Sequence, residues 1–338
     1  MTRTTLLLTE ADVLRLVDMR SAIRIVRHAF RALAQGRAVM PSKLYLVLPR
    51  QGDFRAMPAY LEDPPACGIK WVNVHPHNTA RGLPTIMALL VLNDPATGFP
   101  VAVVDGLAIT KIRTAAAAAV AAKALARRAS RVVGLVGCGA QAEAQLQALK
   151  AVLPIRVVNV WGYGRGEARG FAQRASRHLP GVRLVPTPSI KACVREADVV
   201  VTATPSRRPL VQRAWLKAGV HINAIGADGP GKQELDPRIL REGVVIVDDR
   251  DQAIHGGELN VPVARGQFHP RQIRATLGEV LVGRRPGRRS TSELTVFDST
   301  GLAVHDIALG AELVRRARRR KIGRSLTFFT PYHGKPGP

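Results

Sequence analysis

The sequence predicts an α/β protein: a doubly wound parallel sheet joined to a smaller α+β unit. Three observations carry this. From Val132 onward, short apolar runs alternate with helical stretches, the rhythm of parallel strands buried on both faces. From Ser42 to Val104, short apolar runs follow one another with only turn chemistry between them, as in a mostly antiparallel meander. Between these regions lies Thr114–Ala129, an alanine-rich stretch of strong helical propensity.

Taken in order, Thr9 and Asp12 form a capping-box pattern ahead of a helix in which Val13, Leu16, Val17, Ile23, Val26 and Phe30 recur at helical spacing. A break near Asp18–Ser21 would divide it in two. Strands are predicted at Leu44–Leu48, Gly68–Val74, Ile86–Leu92 and Pro100–Val104. The turn chemistry is Arg50-Gln51-Gly52-Asp53, His77-Asn78-Thr79 and Asn93–Gly98. The later strands fall near Val132–Val136, Arg156–Trp161, Asp198–Ala203, His221–Ile225, Val244–Val247 and Thr295–Asp298. Helices fall near Gln141–Ala151, Gly166–Arg177, Ser189–Arg195 and Gln212–Lys217, and a closing helix, Val304–Arg320, leaves the parallel sheet.

Composition narrows the class. The 338 residues fit one large domain or two ordinary ones, and 46% hydrophobic residues suffice for a core. No apolar run reaches the roughly 18–20 residues of a membrane span, and no basic region with a long apolar core opens the chain. Three scattered cysteines, Cys67, Cys138 and Cys193, suit a reducing cytoplasm. The net charge is +25, spread as arginine singlets and doublets with one run at 315–321. No nucleic-acid reading motif accompanies it, so the charge reads as a solvated surface whose field also attracts anionic cofactors and carboxylates.

One motif carries specific chemistry. Gly137-Cys-Gly139-Ala140-Gln141-Ala142 follows a strand and opens a helix. Gly137 permits the tight turn, Gly139 lets the backbone approach a pyrophosphate, and Ala142 lets helix and strand pack closely. This is the Rossmann-type fingerprint of a nicotinamide dinucleotide. A carboxylate after the second strand would bond the ribose 2′-OH; Gly162 stands there instead, with Arg165 close behind. That favours NADP(H), with NAD(H) as the alternative.

Isolated polar groups surround this motif in sequence. Lys70 lies inside an apolar strand, Arg113 at the start of the alanine helix, and Arg55 within Gly52–Ala59. Singly, each reads as a surface charge or an ion-pair partner; Lys70, flanked by Ile69, Trp71 and Val72, should be buried and paired. Asp228 follows the strand His221–Ile225, at the carboxyl end where doubly wound sheets place ligands, and Lys232 can pair with it. Alone, Asp228 also reads as a turn residue or helix cap. His75, His255 and His305 are candidate acids or bases, yet no spacing forms a metal site.

The segments Asp53–Tyr60, Gly68–Asn73, Asn93–Gly98, Thr110–Ala116, Gly137–Gln141, Thr202–Pro205, Gly226–Leu235 and Asp298–Gly301 together resemble the ornithine cyclodeaminase/mu-crystallin family over roughly Thr9 to Gly323. The resemblance implies a homodimer. A substrate-binding and dimerisation domain would span 1–113 and 305–330, a Rossmann domain 114–304, and a flexible tail 331–338. It implies that Lys70 and Arg113 hold a carboxylate, with Arg55 and Lys232 nearby, and that Asp228 exchanges a proton at the substrate amine. Gly139, Ala140 and Gln141 would hold the pyrophosphate. Thr202, Ala203, Thr204 and Gly226 would line the cofactor cleft, with Ser299 near the nicotinamide. The expected partner is a small amino or imino acid. Family cyclodeaminases resemble one another in carrying a glutamate where Arg55 stands. A cation there repels an ornithine ammonium, which favours a dehydrogenase or imine reductase (pyrroline-2-carboxylate, ketimine or alanine type) over ornithine cyclodeaminase. Non-catalytic binding is the third reading.

Overall fold

Two eight-stranded sheets organise the chain in the computed structural model, which describes residues 3–329. The tail 331–338 lies outside the described residues. The first sheet is mixed and runs through the strands Arg324–Leu326, Thr5–Leu8, Pro100–Asp105, Ile86–Asn93, Pro65–Val74, Gly52–Glu62 and Ala38–Val39, with Leu44–Leu48 also paired to Gly52–Glu62. The Thr5–Leu8 strand is parallel to Pro100–Asp105; the meander itself is antiparallel. The second sheet is wholly parallel, in the spatial order Arg183–Pro186, Val157–Trp161, Val132–Val136, Val199–Thr202, His221–Ala224, Thr295–Asp298, Val244–Val247, Ala275–Thr276.

The N-terminal caps form as the sequence implies. Thr9 and Asp12 make a reciprocal capping box, and Asp18 caps a second helix, Met19–Ala34, by accepting from Ser21 N at 2.8 Å. The Arg50–Asp53 turn closes a hairpin as expected, but the strand after it, Gly52–Glu62, is not foreseen. Pro58 and Arg55 disguise it, since proline and a buried cation are uncommon inside strands. Its period-2 burial places Arg55, Met57, Ala59 and Leu61 inward.

The alanine helix also differs. It spans Gly106–Leu125, not Thr114–Ala129, because Asp105 caps it by accepting from Ala108 N at 2.8 Å. Arg113 therefore lies two turns inside the helix and not at its start. Nearly every alanine here is buried, and the small side chains let the helix lie between the two sheets, against Ile86–Asn93 on one side and His221–Ala224 on the other. The closing helix, Ala303–Arg320, returns to the first sheet and packs on Gly52–Glu62 and Pro65–Val74. No helix among the described residues is long and apolar enough to cross a membrane.

Candidate active site

In the parallel sheet the strand order reverses between Val132–Val136 and Val199–Thr202, and a crevice opens beyond their carboxyl ends. Gly137 makes the turn there at φ 109°, and a Cβ on it would meet Ala203 O at 2.6 Å. Ala140, Gln141, Ala203, Thr204, Gly226 and Ser299 line a cleft of about 280 Å³ together with Gly139, which has open space where a side chain would project. Gln141 Oε1 and Ser299 Oγ, on two of these lining residues, are buried without hydrogen-bond partners, whereas Thr202, expected to line the cleft, is fully buried behind it at the end of its strand. Arg165 lines a larger pocket of about 810 Å³ beyond the strand Val157–Trp161, with Gly162 and Arg169. The bare glycine turn, the orphaned polar atoms and the adjoining pocket fit a dinucleotide.

Facing the crevice is a cluster of charges that come from distant parts of the chain. Alternation on the first sheet puts Arg55 and Lys70 on its buried face. Lys70 is only 1% exposed; its Nζ donates to Asp306 Oδ2 at 2.9 Å. Arg113 Nε donates to the other carboxylate oxygen of Asp306 at 3.1 Å, and Arg113 also lines the cleft. Burial and the neighbouring Arg113 charge bring the Lys70 ammonium down to about 7, against the pull of Asp306. Burial alone would raise the Asp306 carboxyl, but Arg113 and Lys70 hold it below its usual range.

Asp228 lies on the cleft wall, between two cations. Lys232 Nζ donates to its Oδ1 at 2.5 Å and Arg55 Nη1 to its Oδ2 at 3.0 Å. Burial works to raise this carboxyl, yet Lys232 and Arg55 outweigh it and keep Asp228 ionised, far below the ordinary range. Arg55 is itself fixed by Asp53 at 2.6 Å and stacks over the Tyr45 ring at 5.2 Å.

Three residues here were not singled out by sequence reasoning. Lys43 shares a chamber of about 220 Å³ with Asp228 and donates to the Thr300 carbonyl. Burial, with the nearby Arg55 charge, lowers its ammonium to about 8. Asp306 hides in the first turn of the closing helix, where an acid reads as routine helix chemistry. Asp248 follows a parallel strand, as Asp228 does, and the same positional rule could have found it. Its carboxylate accepts from Thr300 Oγ1 at 2.8 Å and Gly301 N at 2.7 Å. It thereby shapes the turn that holds Lys43 and lies under Arg113. Of the candidate histidines, His305 is buried and meets Phe30 edge to face, with neither ring nitrogen bonded; His255 is exposed beside Asp251; His75 meets Asn73.

Fold and crevice together define a dinucleotide-binding α/β protein whose second polar site opens onto the nucleotide cleft. The profile of the ornithine cyclodeaminase/mu-crystallin family matches residues 3–321. The chain is 46% identical to an alanine dehydrogenase of Archaeoglobus fulgidus over 325 residues, 96% of this chain and 99% of that one. Among solved structures, it superposes on an archaeal alanine dehydrogenase dimer with bound NAD (TM-score 0.93, 46% identity, 96% and 100% of the two chains). It superposes equally on the Delta(1)-pyrroline-2-carboxylate reductase of Thermococcus litoralis in complex with NADH and L-proline (TM-score 0.93, 34% identity, 95% and 100%). The chain belongs to the ornithine cyclodeaminase/mu-crystallin family.

Proposed function

We propose that the protein is an NAD(P)(H)-dependent oxidoreductase that interconverts an amino acid with its imino or oxo acid by reversible hydride transfer at the α-carbon. The observation that carries this is the charge of the site. Arg113 lines the cleft and shares one buried carboxylate, Asp306, with Lys70; only its Nε is bonded to that carboxylate among the described residues, which leaves its guanidinium able to take a substrate carboxylate. Alanine dehydrogenase and pyrroline-2-carboxylate reductase relatives support the same chemistry.

Arg113 is the cation that lines the cleft and would take the carboxylate; Lys70, sealed behind Asp306, fixes the counter-ion that orients Arg113. A nicotinamide dinucleotide held at the glycine turn by Gly139, Ala140 and Gln141 would supply the hydride acceptor for the α-carbon and, when reduced, the hydride donor. As the hydride leaves, the amine nitrogen becomes an iminium, and Asp228, held ionised, stabilises that positive charge. The proton lost from the substrate ammonium goes to Lys43, whose lowered affinity suits exchange near neutral pH. Water then adds to the iminium and the nitrogen leaves as ammonium, carrying both protons of that water; reductive amination runs the same steps backward. For a cyclic imine, reduction stops at the ring amine.

The cofactor reading leans to NADP(H) over NAD(H). Arg165 and Arg169 line the pocket beside the second strand, while the Glu167 carboxylate lies over Gly162 and accepts from Gly164 N at 3.0 Å. The relatives with NAD and NADH keep NAD(H) as the alternative. The first sheet with the closing helix would form the substrate-binding and dimerisation domain, and the parallel sheet the Rossmann domain. Exposed Leu44, Leu46, Trp71 and Leu89 on the outer sheet face support a homodimer. Three free thiols suit the cytoplasm.

The test is a panel of pyruvate with ammonia, pyrroline-2-carboxylate and ornithine, each with NADH and NADPH. Net oxidation of the reduced cofactor with one of the first two is expected. Proline and ammonia from ornithine, with no net cofactor change, would replace this reading with cyclodeamination. Arg55→Glu tests the charge argument separately and should raise activity on ornithine.

A further inference from the structure

Beyond Asp228 and Lys232, on the side away from the glycine turn, lies a second chamber of about 600 Å³. Four cations line it: Arg50, Arg55, Arg207 and Lys232. Asp53 is the one carboxylate lining it among the described residues. Asp53 and Asp228 occupy Arg55, and Asp228 occupies Lys232. Arg207 and Arg50 have no carboxylate within ion-pair distance among the described residues, and both are exposed toward solvent. The Arg207 guanidinium lies over the backbone of Gly231: a Cβ there would meet its Nη1 at 2.6 Å. Arg207 is thus carried by the short strand Arg207–Val211, paired to Gln233–Leu235 directly after Lys232.

The second chamber thus holds two arginines, Arg50 and Arg207, without an ion-pair partner among the described residues. Lys232 lines both the cleft and this chamber, so the two adjoin at the Lys232–Asp228 pair. An apolar side chain would leave that basic chamber to water, whereas a second carboxylate would balance it and take a charge-assisted, bidentate partner in Arg207. From this geometry we infer that the substrate is a dicarboxylic amino or imino acid, its distal carboxylate held by Arg207 with Arg50 at the rim. This rests on the oxidoreductase reading above and narrows its substrate class.

Isosteric pairs test it. Oxidation of L-aspartate is compared with L-asparagine, and of L-glutamate with L-glutamine, in wild type and in Arg207→Ala. The expected result is a kcat/KM for one diacid about 10-fold or more above its amide. In Arg207→Ala that preference collapses while turnover of L-alanine is unchanged. Equal rates for acid and amide in the wild type, or an equal fall for both in the variant, would overturn the inference. Thermal shift of the cofactor-loaded protein by succinate, compared with succinamate, reads the second anion contact without turnover. If no amino acid is oxidised yet succinate alone stabilises the protein through Arg207, the diacid site stands and the oxidoreductase reading fails. If neither ligand stabilises and neither acid is preferred, the diacid site falls.

Discussion

Asp228, Lys43 and His305 are three buried or half-buried ionisable groups whose surroundings set different tasks. Asp228 is kept anionic by Lys232 and Arg55, and the role proposed for it is that of a fixed negative charge against a nascent iminium. Asp228→Asn keeps the shape and removes the charge; turnover should fall about 10²–10⁴-fold with cofactor affinity unchanged by fluorescence titration. Lys43 has its ammonium lowered to about 8. Amino acid oxidation needs its free amine, so kcat/KM should rise as pH climbs through about 8, and Lys43→Met should abolish that limb. Reduction needs the protonated form and should decline over the same interval. His305 is depressed to about 3 by burial and then by Arg113, from an ordinary 6.5. The unfolded chain therefore takes up a proton below about 6.5 that the folded chain refuses until about 3, so stability drains away as pH falls through that window, by at most about 1.4 kcal/mol per pH unit. His305→Leu should flatten this acid limb in denaturant melts at pH 5 and 7. A variant as acid-sensitive as wild type would contradict it.

Secondary elements set these residues in place through their ends and faces. The alanine helix brings Arg113 to the cleft because it begins at Asp105, and it fits between two sheets because its side chains are methyl groups. Ala118 is fully buried, and its carbonyl accepts from Asn223 Nδ2 at 3.2 Å. Ala118→Leu should overpack this layer and cost roughly 1–3 kcal/mol in chemical denaturation. Glycine turn, caps and parallel strands were legible in the sequence because each depends on neighbours a few residues away. The strand Gly52–Glu62 was not, because what makes Arg55 tolerable inside it is Asp53, Tyr45 and Asp228, the last of them 173 positions off. Likewise Lys43 and Asp306 carry no local mark, and Asp248 is marked only by its place after a strand; their partners meet only when the closing helix and the Thr300 turn fold onto the first sheet.

At the scale of the whole molecule, the first sheet has two faces with different fates. One carries Met57, Leu90 and the buried cations; the other leaves Trp71 at 40% and Leu89 at 54% exposed, directly paired in register. An apolar outer face of this kind fits the proposed homodimer; on that proposal Trp71→Glu should give a monomer in sedimentation analysis while leaving cofactor binding intact. The basic surface is partly consumed within the chain: Arg315 and Arg316 both pair with Glu312, and Arg127 with Asp198. By itself the sequence determined the alternation that builds the parallel sheet, the turn that receives a dinucleotide, and the family, because periodicity, propensity and motif spacing are short-range and survive without coordinates. Only the tertiary structure decided which cations face the cleft and which are neutralised. The sequence marks Lys70 as a buried, paired cation but names neither its partner nor the fate of Arg113; Asp306 seals the one and leaves the other lining the site, since ion pairing depends on what the fold brings within about 4 Å.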